Sequence, residues 1–371
     1  MNENQLKHLA ITCGGTGGHF NPGLSIAQTL NAQGGEAVLL LGGKHADKQL
    51  KIAADCGVRA YKIKADPRPR NPFKLFGWIA GIISGARTSR KIMKEHQVQA
   101  LLSMGSYTSI PPAIAALTKK LPFFLHDGNA RLGKANLFMS RFAKGFAFSF
   151  PSVNAANVKC PAVLTGFPLR AALLQARYTR EEAIRQINQE FQTEFESGKP
   201  LLLVFGGSLG AEKINTSIDF DSDELQIIHL AGPGKLDQVN ACYAGRSNRI
   251  LTLEAYENIA LLYTAADFVI SRAGGSTVSE LAYFGKYALL IPYPHAADLH
   301  QNDNAALLAS AGGAEIILDS DCSKTLFRSI LSNWIRNKPE LIAAGEKNRS
   351  LAMPDAAANV LRMIETYLQK K

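Results

Sequence analysis

With 371 residues, 46% of them hydrophobic, the chain is globular and long enough for two buried cores, which excludes a disordered polypeptide. A formal charge of +10 calls for an anionic partner. The five cysteines are odd in number and scattered without a CxxC pair, which excludes a disulfide framework or a zinc-cysteine centre and fits a reducing cytoplasm. No apolar signal region precedes the first strand, and no apolar segment reaches transmembrane length.

In chain order, the apolar run 9–11 leads into Gly14-Gly15-Thr16-Gly17-Gly18-His19, followed by the helix-like stretch 24–30. Strand, glycine loop and helix in this order let the backbone approach a bound anion, and the helix start aims free N–H groups at it. A histidine inside the loop adds a proton acceptor. On its own the loop reads equally well as a tight turn without ligand. Apolar runs then recur at 37–41, 100–104 and 123–125, separated by amphipathic stretches. Much of the positive charge falls between Lys62 and Lys94, where Phe73, Phe76, Trp78 and Ile79 are flanked by Arg70, Lys74, Arg87 and Arg90. The segment 72–94 suits a helix lying on an anionic membrane surface and suits a buried core helix with a basic end as well. Basic residues interleaved with aromatics in a nucleic-acid module are not found, so no nucleic acid is expected as a partner.

A charged helix is expected over 180–194, then the turn Ser197-Gly198-Lys199-Pro200 and a fresh apolar run at 201–205 that ends in Gly206-Gly207-Ser208-Leu209-Gly210. The second half thus begins as the first did. Further runs at 226–230, 268–270 and 287–291 complete a βαβ alternation that implies two doubly wound parallel sheets, with ligands at the carboxyl ends of the strands and a substrate cleft between the halves. Neither of the first two loops is a clean GxGxxG, which weakens a dinucleotide reading. After 268–270 comes a third glycine loop, where Gly274, Gly275, Ser276 and Thr277 offer N–H groups and hydroxyls to a diphosphate and Glu280 can accept two ribose hydroxyls. A first-turn glutamate favoured by the helix dipole is the plainer reading of Glu280. The segment 291–305 crowds His295, Asp298, Gln301, Asn302 and Asn304 behind a strand, as sugar hydroxyls require and as a solvated loop also allows.

Together, GGTGGHFNPG at the front, FGGSLGA at 205–211, SRAGGSTVSE at 271–280 and PYPHAADLHQNDNA at 292–305 resemble the MurG family, the UDP-N-acetylglucosamine–lipid I transferases of peptidoglycan synthesis. The resemblance covers nearly the whole chain. It implies a GT-B fold of two Rossmann-like domains: an acceptor and membrane-docking domain over 1–165, joined by a returning helix at 356–371, and a UDP-sugar domain over 166–355. The implied reaction is inverting transfer of N-acetylglucosamine from UDP-N-acetylglucosamine to the C4 hydroxyl of lipid I, giving lipid II at the cytoplasmic face of the cell membrane by a peripheral enzyme that uses no cofactor.

By the same resemblance His19 is the base, while Gly14, Gly15, Gly17 and Gly18 with Tyr107 shape the acceptor loop. Thr16, Gly17 and Gly18 approach the donor sugar or the acceptor diphosphate, Asn129 contacts the donor sugar and Arg170 belongs to the donor site. Ser208, with Gly275, Ser276 and Thr277, faces the donor diphosphate. The backbone of Tyr256 recognises uracil, Glu280 holds ribose, and Gln301 with Asn304 binds the sugar.

The chain departs from the family pattern at four places: His126-Asp127-Gly128-Asn129 for His-Glu-Gln-Asn, Phe167 and Leu169 within Gly-Asn-Pro-Val-Arg, Leu209 for glutamine, and Gly105-Ser106-Tyr107 for Gly-Gly-Tyr. Three of these lose amide or carboxylate reach near the donor. They leave a relative acting on another UDP-sugar or acceptor as an alternative, beside a nucleotide-sugar binding protein without turnover. Asp221-Ser222-Asp223 and Asp319-Ser320-Asp321 read as turns, and no essential metal ligand is expected from the protein.

Overall fold

The computed structural model describes residues 5–207, 210–296 and 299–369. The chain divides into two compact units, Met1–Arg170 with Met353–Lys371, and Ala171–Ala352. The first unit runs β1 (His8–Thr12), α1 (Gly17–Ala32), β2 (Glu36–Leu41), α2 (Ala46–Asp55), β3 (Arg59–Lys62), α3 (Leu75–Glu95) and β4 (Ala100–Ser103). It continues through α4 (Ile110–Thr118), β5 (Phe123–Asp127), α5 (Lys134–Met139), β6 (Gly145–Phe148) and β7 (Ala162–Leu164). The second runs α6 (Ala171–Gln175), α7 (Arg180–Phe191), β8 (Leu201–Phe205), α8 (Glu212–Ser217), β9 (Gln226–Leu230), α9 (Leu236–Tyr243) and β10 (Ile250–Leu253). After these come α10 (Ile259–Ala265), β11 (Phe268–Ser271), α11 (Gly275–Phe284), β12 (Tyr287–Leu290), α12 (His300–Ser310), β13 (Ala314–Ile316), α13 (Lys324–Arg336) and α14 (Lys338–Glu346). The last helix, α15 (Ala356–Gln369), packs on α1 in the first unit.

The strand orders are β3-β2-β1-β4-β5-β6-β7 and β10-β9-β8-β11-β12-β13, with parallel pairing throughout the described residues. Both are doubly wound sheets, as the βαβ alternation implies. In each, the chain reverses direction across the sheet beside its first strand, so the crevices at the carboxyl ends of β1/β4 and β8/β11 are where such folds hold ligands.

Period-two alternation along buried strands explains the cores of the first unit. Leu9, Ile11, Leu39, Leu41 and Phe124 face Phe20, Leu24 and Ile26 of α1 and Val360 and Ile364 of α15. Ala10, Val38, Leu40, Leu101, Phe123 and Leu125 face the opposite way, onto Ile92 and Met93 of α3 and Ala113 and Ala116 of α4.

Two expectations are corrected. Helix α1 starts at Gly17 rather than near residue 24, because extended Thr16 is its N-cap and the Thr16 carbonyl accepts from the amides of His19 and Phe20. His19 therefore stands in the first helical turn, not in the loop. Helix α7 stops at Phe191, three residues early, where Gln192 turns left-handed and caps it. Helix α3, for which the sequence leaves a surface-lying and a buried reading open, turns Gly81, Gly85, Ser89, Ile92 and Met93 to the core, while Phe73 and Phe76 at its entrance are 89% and 85% exposed.

Candidate active site

In the first unit the loops after β1 and β2 meet backbone to backbone, and the loop after β4 meets both through side chains. A Cβ on Gly14 would lie 2.5 Å from the amide nitrogen of Gly42, and Gly15 has φ of +101°, so both positions require glycine. The Thr108 hydroxyl donates to the Gly14 carbonyl at 3.2 Å, tying the β1 loop to the loop after β4. Tyr107, half-buried, brings its hydroxyl to 2.6 Å from where a Cβ of Gly43 would stand. Gly17 and Gly18 differ: a Cβ there would meet only Asn21 at 3.9 Å or Thr16 at 3.8 Å. Packing does not demand glycine at these two positions, and the space before the first turn of α1 is open.

His19 is placed by that turn. Its Nδ1 lies 2.9 Å from Thr16 Oγ1. The other edge of the ring leans on the β4 loop, for a Cβ on Gly105 would sit 3.4 Å from His19 Nε2 and 3.4 Å from Asn136 Nδ2. Asn136 in turn donates to Asp127 Oδ2 at 2.9 Å. Buried Asp127 also accepts from the amides of Gly133, at 2.9 Å, and Asn129, at 3.1 Å, which fixes the turn carrying Asn129. His126 is buried beside it with Nε2 3.2 Å from Ser149 Oγ, and its pKa is pushed down to about 3 by desolvation. Arg170, partly buried, ends this stretch of the unit.

In the second unit Gly274 is the N-cap of α11, so the amides of Gly275, Ser276 and Thr277 lie in its first turn and have no partner four residues back. A Cβ on Gly274 would touch only Thr277 Oγ1 at 3.9 Å, leaving the helix start open. Gln301 Oε1 accepts from the amides of Ala273, at 3.2 Å, and Tyr293, at 2.9 Å. Asn304, fully buried, donates to the Ala273 carbonyl at 3.0 Å. Both side chains thus brace the glycine loop from behind. Glu280 accepts from Tyr263 at 3.0 Å, one helical turn past the loop. Tyr256 donates to Glu190 Oε2 at 2.6 Å and packs edge-on against Phe191, so its side chain is a strut for the β10–α10 turn. Ser208 lies outside the described residues.

The structure gathers His19, Thr16, Gly14, Gly15, Gly17, Gly18 and Tyr107 at one strand switch point, with Asn129 joined to them through Asp127 and Asn136. It gathers Gly275, Ser276, Thr277, Gln301 and Asn304 around Ala273 and Gly274 at the other, with Glu280 beyond. Sequence reasoning missed Asn136, Tyr263 and Arg272. Arg272 follows β11, pairs with Asp319 at 2.5 Å and donates to the Ile291 carbonyl at 3.1 Å, pinning the loop after β12. An arginine directly after a buried strand was the available signal. Among the described residues no group of three metal-ligating side chains occurs.

The N-terminal domain of glycosyltransferase family 28 matches residues 9–148 and the C-terminal domain of that family matches residues 201–360. A UDP-N-acetylglucosamine--N-acetylmuramyl-(pentapeptide) pyrophosphoryl-undecaprenol N-acetylglucosamine transferase of Thermodesulfovibrio yellowstonii is 30% identical over 98% of this chain and 99% of its own length. Its namesake from Burkholderia mallei is 31% identical, over 96% and 95%. The crystal structure of Acinetobacter baumannii MurG superposes with a TM-score of 0.75 at 28% identity, over 98% of this chain and 100% of that one. The glycosyltransferase of kitacinnamycin, at 12% identity and a TM-score of 0.71, shares the fold alone. Two parallel-sheet units of this topology, matched in order by both family 28 domains and over full length by these relatives, make the chain a GT-B glycosyltransferase of family 28 and a member of the MurG family.

Proposed function

We propose that the protein is an inverting transferase that moves N-acetylglucosamine from UDP-N-acetylglucosamine to the C4 hydroxyl of lipid I. The observation that carries this reading is the placement of His19: Nδ1 held by Thr16, Nε2 turned toward the β4 loop, in front of glycines that packing does not require. In the tautomer where Nδ1–H donates to Thr16 Oγ1, the lone pair sits on Nε2 and accepts the C4 hydroxyl proton as that oxygen bonds to the anomeric carbon. The bond from the anomeric carbon to the UDP oxygen breaks, and the electron pair leaves on the diphosphate. Amides at the start of α11 and the Thr277 hydroxyl meet that charge, and Glu280 holds the ribose.

The acceptor is lipid-linked, and α3 supplies the docking surface. Phe73, Phe76, Ile79 and Ile83 are exposed among Arg70, Lys74 and Arg87, so an anionic bilayer meets both apolar and cationic side chains. No helix of the described residues is long and apolar enough to cross a membrane. A second reading, transfer from another UDP-sugar or to another acceptor, is favoured by the Phe167 ring standing where a side chain of residue 128 would go.

Both readings are tested by following UDP release over a panel of UDP-sugars with a soluble lipid I analogue. Release with UDP-N-acetylglucosamine alone among the donors supports the first, and a preference for another sugar supports the second. His19→Ala should lower kcat by roughly 10²–10⁴-fold while retaining donor affinity. Unchanged turnover removes His19 from the mechanism.

A further inference from the structure

Ser106 has φ of 74° and ψ of 159°, a backbone region that is open to glycine and strained for any residue with a Cβ. Its neighbour Gly105, at φ of +95°, adopts positive φ without that cost, and a Cβ there would press on His19 and Asn136. At position 106 the sequence offers serine instead. The side chain gains nothing from the protein in return, since its hydroxyl has no hydrogen-bond partner among the described residues. Replacing it with glycine would relieve the backbone and cost the fold no bond. The hydroxyl points onto the first glycine loop, 2.9 Å from where a Cβ of Gly15 would stand, and Ser106 directly follows the glycine on which the His19 ring leans.

We propose that Ser106 is a substrate-contacting residue of the acceptor site, its hydroxyl donating a hydrogen bond to an oxygen of the diphosphate-bearing acceptor held over Gly15. This rests on the acceptor-side reading of the His19 loop given above. Strain kept at a residue whose hydroxyl faces the site without a partner among the described residues is what a ligand bond accounts for. Position 106 thereby sets how tightly the acceptor is held, separately from the base and from the donor.

The test compares Ser106→Gly and Ser106→Ala in the full-length protein, by thermal melting and by kinetics with UDP-N-acetylglucosamine and a soluble lipid I analogue. Ser106→Gly is expected to melt a few degrees above the parent, because strain is relieved, while the acceptor KM rises roughly tenfold and the donor KM stays within about twofold. Ser106→Ala keeps the strained backbone and loses only the hydroxyl, so it should show the same rise in acceptor KM without the gain in Tm. An acceptor KM within about twofold of the parent in both variants overturns the assignment, and a Ser106→Gly protein that melts no higher overturns its premise. A parent enzyme inactive with this donor and acceptor overturns the acceptor-site reading itself and the assignment with it, an outcome distinct from active variants of unchanged KM.

Discussion

The Tyr263 hydroxyl donates to Glu280 Oε2 across 3.0 Å, from a side chain that is itself fully buried, stacked on Phe284 and edge-on to Phe205. The packed rings give the phenol no freedom, so the carboxylate it bonds is held in one orientation. Tyr263 is then a positioning residue for the group assigned to ribose. Tyr263→Phe should raise the donor KM about fivefold, the worth of one hydrogen bond near 1 kcal/mol, with kcat little changed. The increase should vanish for a donor whose ribose lacks its hydroxyls. A donor KM equal to the parent's would show that Glu280 needs no such support.

Two departures from the family pattern, Gly128 and Phe167, are one packing event. A Cβ at residue 128 would fall 2.9 Å from Phe167 Cε2, and the Phe167 ring, 6% exposed, also stands edge-on to His126. Gly128→Ala should therefore destabilise by about 1–3 kcal/mol through overpacking. With Phe167→Leu in the background the same change should cost less. Urea denaturation of the two single variants and the double variant gives the coupling, and strictly additive effects would mean that the ring and residue 128 do not compete for space.

Much of the fold was legible because the central strands are buried on both faces. Runs such as Leu39-Leu40-Leu41 and Leu201-Leu202-Leu203 can hardly be anything else once alternated with amphipathic stretches. Strand β7 escaped notice, since its three residues are exposed and carry no such run. The start of α1 was hidden by glycine: Gly17 and Gly18 read as loop, whereas the Thr16 carbonyl already organises the helix. In the site, glycine loops and the histidine are local patterns. Tyr263 and Asn136 are not, because each earns its place only through a partner 17 or 9 residues away that the fold brings near. Nor can a sequence show that Ser106 sits in a glycine conformation.

The exposed entrance to α3 separates two aromatic roles. Phe73 and Phe76 project into solvent, whereas Trp78 is partly buried with its indole N–H donating to the Asp66 carbonyl at 2.9 Å. Phe73→Ser with Phe76→Ser should weaken co-sedimentation with phosphatidylglycerol vesicles more than tenfold, since each buried phenyl contributes about 1.5–3 kcal/mol, and should leave the melting temperature unchanged. Trp78→Ser should instead lower the melting temperature. Undiminished vesicle binding by the double phenylalanine variant would place the membrane contact elsewhere.

Each unit carries one histidine that burial keeps neutral. In the second unit His229 bridges the Tyr243 hydroxyl at 2.9 Å and Asn215 Oδ1 at 3.1 Å. Because Asn215 Nδ2 already donates to the Ala231 carbonyl, its Oδ1 must accept, so His229 carries its proton on Nε2 and accepts from Tyr243 through Nδ1. Desolvation holds the pKa of His229 at about 3, as it does that of His126 in the first unit. Below an unfolded value of about 6.5 the unfolded chain binds protons that the folded chain refuses, so stability falls as the pH drops from there toward 3. At pH 5 each buried imidazole should account for roughly 2 kcal/mol of lost stability. Urea titrations at pH 7, 6 and 5 measure this slope, and His229→Gln should be less stable at pH 7 yet lose roughly 2 kcal/mol less than the parent between pH 7 and pH 5. A variant whose stability falls as steeply as the parent's would mean that His229 takes up its proton in the folded protein and that acid sensitivity arises from other groups.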